Sequence, residues 1–289
     1  MLPSIARGLN SDGRDMFEMS TKDQATVVLR LAQSWWFARE LEHHPITAHA
    51  EKQRLKLDRL ALAQHYGIPT GYLDLTHNFD VSAFFATCRA TKTGWEPVTE
   101  GIGIVYRVDL EQARNRFASF KPLGPQPLPR PDEQAAWVVE LPMVHSFDGW
   151  PEVSIIQFEQ NESVGEYFIK MFRGGGLLFP PDPLARVAQE ILECGEIPRE
   201  LAEGALTSFA SDQFGIKPDQ LPAVRQSISS LIHLIDYRRI LEDHDIAPFL
   251  NDFEWRKRRL SDAMAKARPV RIEPVQEGAN PPSHTDGNK

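Results

Sequence analysis

A histidine, a threonine and an aspartate stand close together in QHYGIPTGYLDLTHNFDVSAFFA, residues 64–86. His65 can hold a hydroxyl or move a proton near neutral pH, Asp74 can accept hydrogen bonds or stabilise a developing cation, and the Thr70 hydroxyl can anchor either. To act together the three must converge on one corner. Gly67 and Pro69 end the helix before them, because glycine accepts the left-handed C′ conformation and proline cannot continue, so His65 and Tyr66 fall in its final turn. Asn78 is the N-cap of the next helix, Asp80 complements its dipole, and Val81, Phe84, Phe85 and Cys88 at i, i+3, i+4 and i+7 are its expected buried stripe. A second account needs no chemistry. His65 gains from the helix dipole when protonated, Thr70 and Asp74 satisfy turn amides, and the two phenylalanines fill core. It explains each residue singly but not their density, and both accounts stay open.

Other stretches carry less. GIGIVY lacks the third glycine of a dinucleotide fingerprint and reads as a strand, and there is no Gly-x-Ser-x-Gly elbow, Walker sequence or His-Glu-x-x-His helix. His43 and His44, adjacent on a helix, point too far apart to share a metal and are expected to be a solvated pair. In RGGGLLFPP, Arg173 to Pro181, consecutive glycines imply backbone that something approaches closely, or a turn into a buried strand, and Arg173 could hold a phosphate or carboxylate. Cys88 and Cys194 lie far apart, which supports neither a zinc cluster nor a disulfide framework, and both are expected to be buried apolar residues.

The elements that must position these residues follow from composition and period. The chain has 289 residues, 42% hydrophobic, enough for one large domain or two small ones. A net charge of −8 argues against nucleic acid as the main ligand, WRKRR at Trp255–Arg259 being a local exception. With no leader pattern and no long apolar run, the expectation is a cytoplasmic protein without membrane association. Residues 21–66 read as two or three helices. GIGIVYRVD alternates as a strand with Asp109 capping a short helix after it, and AWVVELP and VSIIQFEQ are further strands. Between them KPLGPQPLPRP, with Pro122, Pro125, Pro127, Pro129 and Pro131, is expected to be a polyproline surface loop without regular structure. From Pro183 to about Ala267 the pattern is helical, ILECGEIPRELAEGALTSFA and SISSLIHLIDYRRILEDH being the clearest segments. Residues 269–289 are expected to be a disordered tail. The fold class is therefore α+β: a small mixed or split β-sheet flanked by N-terminal and C-terminal helices.

The opening stretch resembles the signature of FRG-domain proteins, a bacterial family whose pattern runs Gln-His-Tyr-Gly-hydrophobic-Pro-Thr, Leu-Asp-aromatic-Thr, then Ala-x-x-Phe-Ala. Gln64, His65, Tyr66, Gly67, Pro69, Thr70, Leu73, Asp74, Thr76, Ala83, Phe85 and Ala86 fall on it. GIGIVYRVD, GGGLLFPPD and FGIKPDQLP resemble later segments, so the similarity implies an FRG-like domain over 1–232, a helical extension over 233–268 and the tail. The chain departs from the pattern in three places. Ala6-Arg7-Gly8 lacks the aromatic of the family's N-terminal aromatic-Arg-Gly strand, and LPSIAR is similar to the family's segment just after that strand, so the strand itself is expected to be missing. Gly71 and Leu75 replace an arginine and a tryptophan, and Gly174 replaces the glutamine of a Gln-x-Gly segment.

The order of parts also resembles that of ADP-ribosyltransferases, which bind NAD in a cleft of a split sheet. That resemblance implies His65 on the adenosine ribose, Tyr66 or Phe85 against nicotinamide, and Arg7 or Arg173 at the pyrophosphate. It gives His65 and Asp74 as the candidate catalytic pair, and Arg7, Tyr66, Thr70, Phe85 and Arg173 as candidate cofactor contacts, with no metal. Two functions are open on that basis. One is an NAD-dependent ADP-ribosyltransferase or NAD hydrolase, a toxin or antiphage effector, in which Glu152, Glu159 or Glu162 replaces the missing glutamine. The other is a non-catalytic sensor whose cleft recognises a nucleotide or a protein segment, which fits the lost arginine and glutamine better. A purely structural motif is the third possibility.

Overall fold

A computed structural model describes residues 1–9, 15–54, 56–113, 120–123, 127–141, 146–212 and 215–266, with the side chains of 263–266 excepted. The expected tail, 269–289, lies outside the described residues. The longest helix, α1 (Thr21–Glu40), is capped by the Ser20 hydroxyl, which accepts from the Asp23 amide at 3.1 Å. Its apolar face, from Ala25 through Val28 and Ala32 to Trp36 and Phe37, is buried in the main core. Then come α2 (Pro45–Lys52) and α3 (Arg59–His65), so the expected helices over 21–66 are all present. The end of α3 falls where Gly67 and Pro69 are expected to place it. Gly67 has φ +86°, its amide donates to the Gln64 carbonyl at 2.9 Å, and the Ile68 amide reaches the Ala63 carbonyl at 3.0 Å. This pair of bonds is the Schellman closure, and only a residue free to adopt positive φ allows it.

The chain turns into β1 (Tyr72–Thr76), then α4 (Phe79–Thr87), whose cap Asn78 accepts from the Asp80 amide at 2.9 Å. A hairpin, β2 (Cys88–Thr91) and β3 (Gly94–Pro97), leads to β4 (Ile102–Val108), after which Asp109 Oδ1 accepts from the Glu111 and Gln112 amides at 2.9 and 3.1 Å. Next are β5 (Phe120–Pro122), α5 (Pro129–Glu133), β6 (Ala136–Glu140), β7 (Val153–Glu159) and α6 (Glu162–Met171). The C-terminal part holds α7 (Pro183–Glu193), β8 (Glu196–Pro198), α8 (Arg199–Ala210), α9 (Leu221–Leu231), β9 (His233–Ile235), α10 (Asp243–Ile246) and α11 (Leu250–Lys266). The sheets are small and separate: β1-β6-β5 and the pairs β2-β3 and β4-β7 are antiparallel, and β8-β9 is parallel. The α+β class holds.

Several expectations need correction, Cys194 among them, which is only partly buried. Phe85 is 44% exposed, while Val81, Phe84 and Cys88 are buried, so the buried stripe of α4 is centred on Phe84. The proline-rich stretch is partly regular: Pro122 ends an edge strand, where a missing amide costs no ladder bond, and Pro129 is the first residue of α5, whose amide would have no helical partner anyway. The glycine run leads into turns rather than a strand, and His233–Ile235, read as helix, is a strand pairing with β8. Nor are His43 and His44 a solvated pair. His43 is exposed, but His44 is 6% exposed, and its Nδ1 caps α2 by accepting from the Ile46 amide at 3.1 Å.

That cap has a pH consequence. Burial lowers the His44 pKa from 6.5 to about 4, so the folded ring is neutral at pH 7. The unfolded chain binds a proton that the native state excludes, and stability intact above the unfolded pKa is lost as pH falls through 6.5 toward 4, by about 2 kcal/mol at pH 5. Urea unfolding at the two pH values checks this, and His44→Asn, which keeps a capping acceptor without the titration, should lessen the fall.

Candidate functional site

The corner read from the sequence exists as one hydrogen-bonded unit. Gln64, in the last turn of α3, holds it together: its Oε1 accepts from Ser4 Oγ at 2.6 Å and Thr70 Oγ1 at 2.8 Å, and its Nε2 donates to Asp74 Oδ2 at 3.1 Å. Thr70 Oγ1 accepts in turn from the Tyr72 amide at 3.1 Å and so fixes the entry into β1. The N-terminal segment is tied to the same turn, since the Ile5 amide donates to the Thr70 carbonyl at 3.0 Å. His65, Thr70 and Asp74 therefore do converge.

His65 is the most informative of the three. Gln134, just after α5, donates its Nε2 to the Leu178 carbonyl at 3.0 Å, which fixes the amide and leaves Oε1 as acceptor toward His65 Nδ1 at 3.2 Å. By this network Nδ1 carries a proton, and Nε2 is the ring nitrogen turned toward Asp74. Nε2 lies 3.3 Å from Asp74 Oδ1 yet has no hydrogen bond, because the approach is close but misaligned. The His65 side chain is 3% exposed and that of Asp74 is 44% exposed. The corner is thus dry at the imidazole and open at the carboxylate. Without a proton on Nε2 the ring and the carboxylate would be two acceptors facing each other, an arrangement that a hydroxyl donor would relieve.

Tyr66 follows His65 but serves another purpose. Only 4% exposed, it packs between Phe37, with centroids 5.4 Å apart, and the Arg130 guanidinium, 4.9 Å from its ring, and its hydroxyl donates to Asp182. Burial raises the pKa values of both Tyr66 and Asp182, and Asp182 also caps α7 through the Leu184 amide at 2.8 Å. With both faces covered, Tyr66 has no surface for a planar ligand.

Phe85 does. Its half-exposed ring meets Trp95 at 5.9 Å and Phe179 at 6.0 Å, and those two stack at 5.2 Å with 24° between planes. Phe179 also lies 5.0 Å from Arg130, whose guanidinium donates to the His65 carbonyl at 3.3 Å, so rim and corner are joined. The glycine run now has its reason. Gly175, at φ +86°, abuts the Trp95 indole, and a Cβ there would fall 2.6 Å from the ring. Arg173, also at positive φ, is exposed two residues earlier. Arg7 is exposed on the opposite chain segment, its Nε donating to the Leu2 carbonyl at 3.0 Å.

Sequence reasoning missed Gln134, Arg130, Trp95 and Phe179. The glycines signalled a close neighbour without identifying it as Trp95, and Gln134 lies between the proline-rich stretch and the next expected strand, where no motif points to it. Glu159 ends β7 opposite Ile102, Glu162 opens α6, and Glu152 is buried ahead of β7; the partners of His65 and Asp74 are Gln134, Gln64 and each other. Among the described residues no group of His, Cys, Asp or Glu side chains converges as metal ligands would, and no helix is long and apolar enough to cross a membrane.

The family model of the FRG domain matches residues 5–94. That span holds Gln64, His65, Thr70, Asp74 and Phe85, whereas Trp95, Arg130, Gln134 and Phe179 come from beyond it. Comparison with curated proteins and with solved structures gave no match.

Proposed function

We propose that this chain binds a nucleotide, NAD being the first to test, between the His65–Asp74 corner of its FRG-matching span and the Phe85–Trp95–Phe179 rim. The observation that carries this reading is His65 Nε2, a buried ring nitrogen without a hydrogen bond beside a half-exposed carboxylate. A ribose hydroxyl donating to Nε2 or to Asp74 satisfies an acceptor that the fold leaves unmet, and the Gln64 and Gln134 networks hold both groups in place beforehand, which lowers the cost of ordering on binding. The exposed edge of the rim suits a planar base or nicotinamide, and Arg173 suits the pyrophosphate. Arg7 is the weaker choice for that role, since its guanidinium is turned to the Leu2 carbonyl.

A second reading, NAD hydrolysis or ADP-ribosyl transfer by a toxin or antiphage effector, is favoured by one feature: Asp74 is a carboxylate at 3.3 Å from His65 and open on its other side, as stabilising an oxocarbenium-like ribose requires. The experiment is calorimetric titration with NAD alongside an assay for free nicotinamide. His65→Gln should weaken NAD binding at least tenfold, about 1.4 kcal/mol, without a matching loss of melting temperature. Binding without nicotinamide release makes the corner a recognition site, and release abolished by Asp74→Asn makes it catalytic. Neither, from folded protein, removes both readings and leaves a protein segment as the occupant to test.

A further inference from the structure

The basic run WRKRR has no part in the His65 corner. It lies on α11, where Arg256, 8% exposed, bonds Asp132 at 2.9 Å, Glu133 at 3.2 Å and Asp252 at 2.8 Å, and so fastens the helix to α5. Arg259 also bonds Asp132, and Lys257 bonds Glu254 at 2.7 Å. Arg258 is left. It faces an open cleft of about 420 Å³ between α2 and α11. Lys52 lines the same cleft from α2, and among the described residues neither cation has a carboxylate partner. His49 lines it too, 8% exposed, with no group bonded to its Nε2. Pro45, Ala48 and Phe253 supply apolar wall.

We infer that this cleft is a binding site for a small organic phosphate monoester, with Lys52 and Arg258 on the phosphate and the apolar wall against the organic body. Two cations without carboxylate partners, one from each helix, suit a doubly charged phosphate better than a singly charged carboxylate. Burial first, and then the charge of Lys257, lowers the His49 pKa, with Glu254 opposing and Lys52 adding a smaller lowering. Of the two lining carboxylates, Glu254 is paired with Lys257, and Asp262 lies one turn beyond Arg258. The site shares no residue with the His65 corner, so it stands whether or not that corner binds nucleotide.

The test is calorimetric titration of the full chain with phenyl phosphate, with phenol and inorganic phosphate as controls. Saturable binding of phenyl phosphate is expected, at least tenfold tighter than either control. The double substitution Lys52→Ala/Arg258→Ala should weaken it at least tenfold, while His65→Gln leaves it unchanged. Both cations are exposed, so an unaltered melting temperature shows that the double variant is folded. Absence of saturable binding, phenol or inorganic phosphate binding as tightly as the ester, or full affinity in the double variant would each overturn the assignment.

Discussion

Phe84→Ala is expected to cost about 3 to 5 kcal/mol of stability, and Phe85→Ala, one residue along the same helix, about 1 kcal/mol or less. Phe84 is fully buried and lies at the centre of an aromatic cluster, with Trp95 at 4.8 Å, Phe172 at 5.4 Å and Phe85 at 5.6 Å. Truncation removes the ring's transfer energy and leaves a void among side chains held by three separate elements, α4, the β2-β3 hairpin and the turn after α6, which cannot all close on it. Phe85 is half in water already, so its loss exposes little and opens no enclosed cavity. Urea unfolding of both variants distinguishes the cases, and equal losses would mean that the two faces of α4 are assigned wrongly. Phe85→Ala should nevertheless weaken whatever planar group the rim holds.

Glu40→Ala should cost a similar amount, about 3 to 5 kcal/mol, for a different reason. Glu40 is fully buried at the end of α1, where one carboxylate oxygen accepts from the Ile240 and Leu241 amides at 2.9 and 2.8 Å and the other from the Tyr237 hydroxyl at 2.9 Å. Burial and the carboxylate together raise the Tyr237 pKa. Removing the acid strands two amides of buried residues, each at about 1 to 3 kcal/mol, and releases the segment that leads to α10 and α11. Glu40→Gln, with one acceptor oxygen left, should fall between. Urea unfolding gives the size, and hydrogen exchange at the Ile240 and Leu241 amides locates it. A loss under 1 kcal/mol, or unchanged exchange, would show that the C-terminal segment is held elsewhere.

The same contacts show where sequence reading succeeds. Local signals are sufficient at the corner: Gly67 and Pro69 end α3, Asn78 starts α4, and alternation gives β4, β6 and β7, because these features depend on neighbours within a few residues. Phe85 lies beyond such signals. The stripe of Val81, Phe84 and Cys88 fixes a buried face, but whether its margin is covered depends on how Trp95 and Phe179 pack across it. Ile232–Ile235 fits helix or strand by period, and its choice is made by β8, far back in the chain. His65 is legible as a residue of interest, but its environment is not, since Gln134 is 69 residues away. The proline-rich stretch misleads for a related reason: proline at an edge strand or at the first position of a helix leaves no mark different from proline in a loop.

The central claim is that His65 Nε2 is a ligand-facing acceptor, and the most direct test is NMR of isotope-labelled histidine ring nitrogens during an NAD titration. The account predicts that the His65 Nε2 signal, assigned by its absence in His65→Gln, shifts saturably with NAD, while the exposed His43, His77 and His233 stay in place. A His65 signal that does not move while calorimetry registers NAD binding, or no binding of NAD by the folded protein, would contradict it.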